Sequence, residues 1–314
     1  MTTGQPNGSP GADRIALLQT FVRIVEAGSL SAAARQLHTT QPTISRRLQA
    51  LEQSMGLRLL QRSTHAMKLT LDGERCYAHA KSLIDTWDAM QADMRGADDE
   101  PEGVLRVLAP HAFGQRQLMG PLSDYLRRYP RMRVEWLLQD RKPDFMAENL
   151  DCAILVGPVE DHSVVAIEVA AVPRTVVAAP ELLHGRPALR HARDLSEFPW
   201  LALLPFFRSE VALTPQRGGQ PYRFTIHPRL VTDSLNALHA AALDGLGVTL
   251  ASSWLMQADV DRGRLIQLLP EWVGATLPVH LVYPYAKYYP ARLRRFIDIM
   301  RAAMPDCLGP MNRR

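Results

Sequence analysis

The chain has 314 residues, with 46% hydrophobic and 22% charged side chains and a formal net charge of +4. That length suits about two domains, and the composition excludes wholesale disorder, a collagen-like repeat and a disulfide-stapled miniprotein. Cys76, Cys152 and Cys307 are widely spaced, form no CxxC pair and sit in no zinc-ligand cluster, which points to a reduced, cytoplasmic chain. No apolar run approaches the roughly 18 residues of a membrane span. Met1–Asp13 is rich in Gly, Pro, Ser and Thr and has no apolar stretch, so it reads as a flexible tail rather than a signal peptide.

Charge is uneven along the chain. Residues 1–70 hold 8 bases and 3 acids, residues 71–102 hold 3 bases and 9 acids, and residues 103–314 hold 25 bases and 20 acids. A basic head, an acidic rod and a large remainder suggest a polyanionic partner for the head alone, although basic surfaces are common.

The head reads as three short helices and a hairpin. The first helix spans about Arg14 to Ala27, with Ile15, Leu18, Phe21, Val22 and Val25 on one apolar stripe. Gly28 ends it in a left-handed cap. Ser29 or Ser31 caps the next helix, Ser31 to His38, which turns Ala33, Ala34 and Leu37 inward. After the turn at His38–Thr40, Pro42 suits the first turn of a third helix from about Gln41 to Met55. Ile44, Leu48, Leu51 and Met55 share one arc of that helix. Pro42, Ser45, Arg46 and Gln49 share the opposite arc, with Thr43 at its flank. A short, polar, cationic face of this kind suits base edges and phosphates in a major groove. Two readings fit the spacing: a helix-turn-helix whose second helix reads DNA, or an ordinary helical hairpin with a solvated face. Leu57–Arg62 and Met67–Thr70 then read as two short strands around a polar turn, Ser63–Ala66. Arg62 and Lys68 either face a phosphate backbone or are plain surface charges.

These residues carry a specific resemblance. The run Phe21–Thr70, with "GSLSAAARQLH", "TQPTISRRLQALE", "GLRLLQR" and then "LTLDG" in unbroken order, resembles the N-terminal domain of LysR-type transcriptional regulators. The resemblance implies a winged helix-turn-helix that binds duplex DNA as a dimer. It implies that Thr40, Gln41, Pro42, Thr43, Ser45 and Arg46 contact the major groove or its rim, that Ser31 touches phosphate and that Arg62 serves the wing. Leu60 departs from the family, which usually has an aromatic residue there; a packing change is the expected result.

From Asp72 to about Arg95 there is no proline, and the only glycine, Gly73, lies in the first turn. Cys76, Ala80, Leu83, Trp87, Met90 and Met94 form a heptad-like seam on a helix spanning roughly 36 Å. The seam, with Leu83, Trp87, Met90 and Met94 at its centre and end, suits pairing with a second chain; packing on its own chain is the other reading. The family has such a linker helix. A polar stretch, Gly96–Gly103, forms the hinge to the body.

The body alternates strand and helix, which argues for parallel α/β units. Expected strands are Val104–Leu108, Val134–Leu138, Cys152–Val156, Val164–Val169, Thr175–Ala178, Val248–Leu250 and Val279–Tyr283. Expected helices are Phe113 to about Tyr129, stopped by Pro130, one capped at Thr232–Ser234 and ended by Gly245, and Pro290–Met304. A chain that returns at its end to the first half suggests two subdomains joined by two crossings. "GVLRVLAPHAFG", "NLDCAILVG" and "DSLNALHAAALDGLGVTLASSWLM" resemble, more loosely than the head, the family's effector domain, which is built like a periplasmic binding protein. The expected fold class is thus α/β, with a winged helix-turn-helix (14–71) after the tail (1–13), a linker helix and hinge (72–102) and a two-subdomain periplasmic-binding-protein-like effector domain (103–314).

In such folds a ligand lies between the subdomains, against strand ends and helix N-termini. His111 is a candidate contact, against the alternative of a solvated loop histidine, and Gln139 and Asp140 follow the second strand. Thr232, Asp233 and Ser234 open a helix whose N–H groups can hold a carboxylate, or they serve only as its cap. Phe206, Phe207 and Arg208 supply an aromatic wall and a cation, or a packed loop and a surface charge. Many relatives have a hydroxyl residue at Ala112 and Arg-Ile-Gly at Leu155-Val156-Gly157. Both departures suggest a less anionic ligand, or none.

Enzyme motifs fail: there is no HExxH, GxSxG or Walker loop, and Gly245-Leu246-Gly247 lacks the third glycine of a dinucleotide loop and follows a helix. The histidines show no metal-ligand spacing. A thiol sensor is weakly supported, with Cys152 in an apolar strand and Cys307 in the tail. The expectation is a DNA-binding regulator, not an enzyme, with no cofactor and no metal. Its partners are duplex DNA carrying an interrupted palindrome near its own gene, a small organic effector such as an organic acid, further copies of itself as dimer and tetramer, and RNA polymerase; no membrane is involved. Effector binding shifts subdomain closure, dimer geometry and DNA bending. A ligand-binding module without DNA binding and an α/β enzyme are the alternatives. The intact Gln41–Arg46 face speaks against the first, and the missing motifs speak against the second.

Overall fold

The computed structural model describes residues 10–62, 67–95, 100–204 and 206–308, with backbone alone at 10–13, 62, 85, 88, 89, 92–95 and 308. The chain divides into two compact units, Met1–Glu100 with Ala286–Ala291, and Pro101–Tyr285 with Arg292–Arg314. The N-terminal end of the expected tail, most of the expected hinge, the turn Ser63–Ala66 and the side chains of Arg62 and Met94 lie outside the described residues.

The first unit opens with α1 (Pro10–Ala27), α2 (Leu30–Gln36) and α3 (Gln41–Met55). α1 begins four residues earlier than the sequence suggested, because a proline fits a first helical turn, where no N–H is required. Gly28 closes it at φ 68°. Its buried apolar residues are Leu17, Phe21, Val22 and Ile24, whereas Ile15, Leu18 and Val25 are only half-buried. The expected stripe was therefore rotated: α1 packs against α2, α3 and α4 (Leu71–Arg95) together, which centres burial on Leu17, Phe21 and Ile24. Ser29, not Ser31, caps α2, its Oγ accepting the Ala32 N–H at 3.1 Å. The helix stops at Gln36, and His38, expected inside it, adopts φ 48° in the turn.

In α3, Ile44, Leu48 and Leu51 are buried as expected, but Met55 is 43% exposed and Glu52 takes the fourth inward place. The reason is the turn that follows. Gly56, at φ 68°, folds the chain back so that the amides of Leu59 and Leu60 donate to Glu52 Oε1 at 2.8 and 3.4 Å. With those amides engaged, the strands are shorter than expected: β1 (Leu60–Arg62) pairs antiparallel with β2 (Met67–Leu69). Leu60 is buried in the head core, so its replacement of an aromatic residue is accommodated by packing. Thr70 Oγ1 donates to Arg58 O at 2.6 Å and accepts the Gly73 N–H at 2.9 Å, which ties the start of α4 to the wing.

The second unit opens on three parallel strands, with β3 (Gly103–Ala109) between β4 (Met132–Leu138) and β5 (Cys152–Val156). The single helix expected over Phe113–Tyr129 is two, α5 (His111–Gln115) and α6 (Met119–Arg128). Pro121 sits in the first turn of α6; in one continuous helix its ring would clash with the Gln117 carbonyl. The two strands expected at Val164–Val169 and Thr175–Ala178 are one, β6 (Val164–Ala178), running through Pro173. The chain then forms β7 (Trp200–Leu203), β8 (Glu210–Pro215), β9 (Tyr222–Thr225), β10 (Pro228–Thr232), α7 (Leu235–Leu243), β11 (Thr249–Ser252), α8 (Ser253–Asp261), β12 (Ile266–Gln267), β13 (Trp272–Pro284) and α9 (Ala291–Leu308). β6 and β13 pair antiparallel along most of their length. Val279–Val282 of β13 also pair with β5, and Arg174–Val177 of β6 with β11. These two long strands are the two crossings between the halves of the effector domain.

Separate cores lie on either side. Leu108, Leu150 and Ala153 form part of the first, and Val176, Trp200, Leu201, Leu238 and Met256 lie in the larger second. The start of α9 is fixed to the first half: Tyr125 Oη donates to Arg292 O at 2.9 Å, and Arg292 Nη2 lies 3.5 Å from Asp151 Oδ1. The Glu52 contacts give a direct test of the head. Glu52→Ala leaves two buried amides without their acceptor and should cost about 1–3 kcal/mol. Glu52→Gln, which keeps an acceptor oxygen, should cost less; urea unfolding of the two variants measures both.

Candidate DNA interface and effector site

The first half of α3 is presented outward by the burial of its other side. Thr40, Gln41, Pro42, Arg46 and Gln49 are exposed, and Thr43 and Ser45 are half-buried, opposite Ile44, Leu48 and Leu51. Thr40 is the N-cap but its side chain accepts no backbone N–H of the helix; its Oγ1 instead shares a hydrogen bond with Thr43 Oγ1 at 2.9 Å. That leaves N–H groups of the first turn open to an acceptor such as phosphate. Ser31 Oγ donates to Gln41 Oε1 at 3.2 Å, so α2 holds Gln41 in place. Arg47 is drawn inward to Thr20 Oγ1 at 3.4 Å, whereas Arg46 has no hydrogen-bond or ion-pair partner among the described residues. In the wing, Lys68 is exposed opposite Gln61, and Arg62 stands opposite Met67 in the strand register. Ser31, Thr40, Gln41, Pro42, Thr43, Ser45 and Arg46 thus come together at the α2–α3 junction. The Ser31–Gln41 bond had no signal in the sequence beyond two polar residues near a turn.

The expected seam on α4 divides. Cys76 and Ala80 are buried against the head, and Cys76 Sγ lies 3.8 Å from Met55 Sδ. Further along, Leu83 is 50% and Trp87 37% exposed, with Met90 half-buried. The first part of the seam therefore serves its own chain, and Leu83 and Trp87 beyond it are exposed.

In the effector domain the loop after β3 meets the end of β4. The His111 N–H donates to Asp140 Oδ1 at 3.1 Å, and His111 Nδ1 lies 3.5 Å from Asp140 Oδ2. Burial pushes the Asp140 carboxyl above the usual range; the His111 bond opposes this and the charge of Asp233 adds to it. His111, Asp140 and Asp233 therefore share one locus, where the first half meets the start of α7. Gln139 Oε1 is buried and has no hydrogen-bond partner among the described residues. Ser234 Oγ accepts the Ala237 N–H at 3.3 Å and Thr232 Oγ1 accepts the Ser234 N–H at 3.1 Å, so both hydroxyls are engaged in capping α7. Phe207 is a core residue and not a cleft wall. Phe206 is half-buried over Gly157, where an added Cβ would stand 3.2 Å from its ring, and Arg208 is exposed.

Residues the sequence did not single out connect the halves. Phe113 of α5 stacks on Trp254 of α8 with centroids 4.8 Å apart, and Asn236 Nδ2 of α7 donates to Gln115 Oε1 at 2.9 Å. These partners lie far apart in the chain, and no local pattern marks them. Burial raises the thiol pKa of Cys76, Cys152 and Cys307, the wrong direction for a reactive thiolate. Among the described residues no group of three or more His, Cys, Asp or Glu is placed to hold a metal ion, and no single helix is long and apolar enough to cross a membrane.

The family model for the LysR substrate binding domain matches residues 98–305, and that for the bacterial regulatory helix-turn-helix protein, lysR family, matches residues 15–74. The chain belongs to the LysR family of transcriptional regulators. It is 31% identical over 286 residues to the HTH-type transcriptional regulator PtxR of Pseudomonas aeruginosa, covering 90% of this chain and 91% of that one. Two full-length solved structures are similar at a TM-score of 0.57. One is the Vibrio cholerae virulence activator AphB, at 28% identity over 92% of this chain and 98% of that one. The other is CrgA of Neisseria meningitidis, at 27% identity over 95% and 99%. This LysR-type regulator thus joins a DNA-binding helix-turn-helix domain to an α/β effector-binding domain.

Asp140 gives a prediction with a definite sign. Its folded-state pKa is raised, so its ionisation opposes folding as pH rises through that value. Asp140→Asn keeps an acceptor for the His111 N–H. The variant should therefore be more stable than the parent at pH 7, and thermal unfolding should show the gain vanishing once pH falls below the ordinary carboxylate range.

Proposed function

We propose that this regulator reads an interrupted palindrome in duplex DNA through Thr40, Gln41, Pro42, Thr43, Ser45 and Arg46, with Ser31 and the wing residue Arg62 on the phosphate backbone. The observation that supports this most directly is the unpartnered Arg46 on an exposed polar face whose other side is locked into the head core. A guanidinium held this way can reach guanine or phosphate without first breaking an internal ion pair. The exposed Leu83 and Trp87 on an acidic helix support a dimer formed through α4, with Met90 and Met94 continuing the contact, and a tetramer as the working assembly. Such a protein acts in the cytoplasm, performs no catalysis and meets RNA polymerase at its promoters.

The effector is a small organic molecule bound where His111, Gln139, Asp140 and Asp233 converge, flanked by Phe206, Arg208, Thr232 and Ser234. Two carboxylates at this locus and the hydrophobic residues at Leu155 and Val156 favour a ligand with hydrogen-bond donors over a simple organic acid. Binding there shifts the population between subdomain arrangements and so alters DNA affinity.

Footprinting on the DNA upstream of its own gene, with salt titration and competitor DNA, tests the DNA reading. The expected result is protection over several helical turns with a steep salt dependence. Arg46→Ala should weaken specific binding by about 1–3 kcal/mol if it reads a base, and should flatten the salt slope if it holds phosphate. Affinity and slope that both match the parent overturn its role. Trp87→Glu should shift the assembly toward monomer in analytical ultracentrifugation, with the fold of the head retained.

A further inference from the structure

The polar face of the head carries one side chain whose direction its own protein has already fixed. Gln41 opens α3, is exposed, and makes one side-chain hydrogen bond among the described residues: its Oε1 accepts from Ser31 Oγ at 3.2 Å. Ser31 stands on α2, which is fixed in turn by burial of Ala33 and Ala34 in the head core. The hydroxyl has no other use. Ser29 caps α2, and Ser31 Oγ has no second partner among the described residues.

A serine hydroxyl has one proton, and an amide oxygen has two lone pairs. Donation from Ser31 therefore occupies one lone pair of Gln41 Oε1. It leaves the other lone pair and both N–H groups of Nε2, which has no partner among the described residues. The bond also tells the two ends of the amide apart. A free glutamine exchanges its oxygen and nitrogen by turning about its last torsion, which is broad. Here turning the amide over requires the hydroxyl to reverse its role as well. The held amide thus presents an acceptor beside a donor. That complements adenine, whose major-groove edge offers an N6–H donor beside the N7 acceptor, and not guanine, whose N7 and O6 both accept. An unheld amide evades the mismatch by swinging its nitrogen between the two guanine acceptors, and a tethered one does not.

We infer that Ser31 is a specificity-determining residue that acts through Gln41: by holding the amide oxygen, it makes Gln41 favour adenine over guanine at the base it faces. The inference rests on the reading of DNA by α3 proposed above and refines the part given there to Ser31. With a single proton on the hydroxyl, a phosphate that took it would release Gln41. The two uses of Ser31 are alternatives, and they leave different signatures in binding.

The test uses the full-length protein and a pool of DNA duplexes with a randomised core, from which the parent, Ser31→Ala, Ser31→Thr and Gln41→Ala each select. Ser31 and Gln41 are both exposed, so these changes leave the head core in place. The position whose preference disappears in Gln41→Ala is the one that Gln41 reads, and the parent should select adenine there. Ser31→Ala should lower the adenine-over-guanine ratio at that position about fivefold, the size of one hydrogen bond's contribution, chiefly because guanine binds better. Preferences elsewhere and the salt slope should match the parent, and Ser31→Thr, which keeps the hydroxyl, should restore the ratio. A uniform loss of affinity with a flatter salt slope in Ser31→Ala assigns the hydroxyl to phosphate; it overturns the inference and leaves the α3 reading intact. An unchanged ratio in Ser31→Ala also overturns it, as does a base other than adenine at the Gln41 position, or a Gln41→Ala variant that keeps every preference. A parent that selects no sequence overturns the DNA reading itself, and the inference with it.

Discussion

Among the described residues, two antiparallel strands carry the backbone between the halves of the effector domain, and the register of that pair constrains what is built on either side. β6 enters the second half beside β11, and β13 returns from it to lie against β5. Sliding one strand past the other by a residue would turn buried Val279 and Leu281 toward the wrong face, so the halves cannot shift by slippage. What remains is bending and twisting at the irregularities in the pair, between Gly274 and Leu277 and between Val279 and His280. Gly274 itself is filled by the side chain of Leu250, so the bend lies beside a packed core rather than in open solvent. Contacts from α5 to α7 and α8 then define one closed arrangement of the two halves.

The head solves a different problem: how to expose a polar helix face without letting the helix drift. Ile44, Leu48 and Leu51 fix α3 against its neighbours, and Glu52 holds the returning chain by its amides. Gly73 completes the arrangement, because a Cβ at that position would overlap the Leu59 carbonyl where α4 passes the wing. A buried carboxylate is a costly device, and here one of its oxygens accepts two backbone amides while the other lies 4.0 Å from Arg58 Nη1.

Much of this was legible in the sequence because local rules decided it. The bounds of α3, the glycine stops at Gly28 and Gly245, the cap of α7 and the start of α4 all follow from residues within a turn or two. The grouping of the proposed DNA-contact residues at the start of α3 was legible for the same reason, since one helix presents most of them. Errors arose where distant partners decided the outcome. The buried face of α1 depended on three other helices. The continuity of β6 through Pro173 depended on the strands beside it, and the short strands between Trp200 and Thr232 are defined by partners elsewhere in the sheets. The surroundings of the proposed effector site were half legible for this reason. His111, Asp140 and Asp233 sit at element ends that the sequence marks, whereas Phe113 with Trp254 and Gln115 with Asn236 meet only in three dimensions.

The Ser31–Gln41 bond gives the two halves of the reading face unequal freedom. Gln41 is held by its own protein before any partner arrives, so docking removes little of its rotational entropy, and it cannot re-aim without breaking that bond. Arg46, unheld, keeps several rotamers and can follow small differences in groove width. On the proposed reading, a base change beneath Gln41 meets a rigid gauge and one beneath Arg46 an adjustable one, so tolerance to operator variation should be uneven along a single helix.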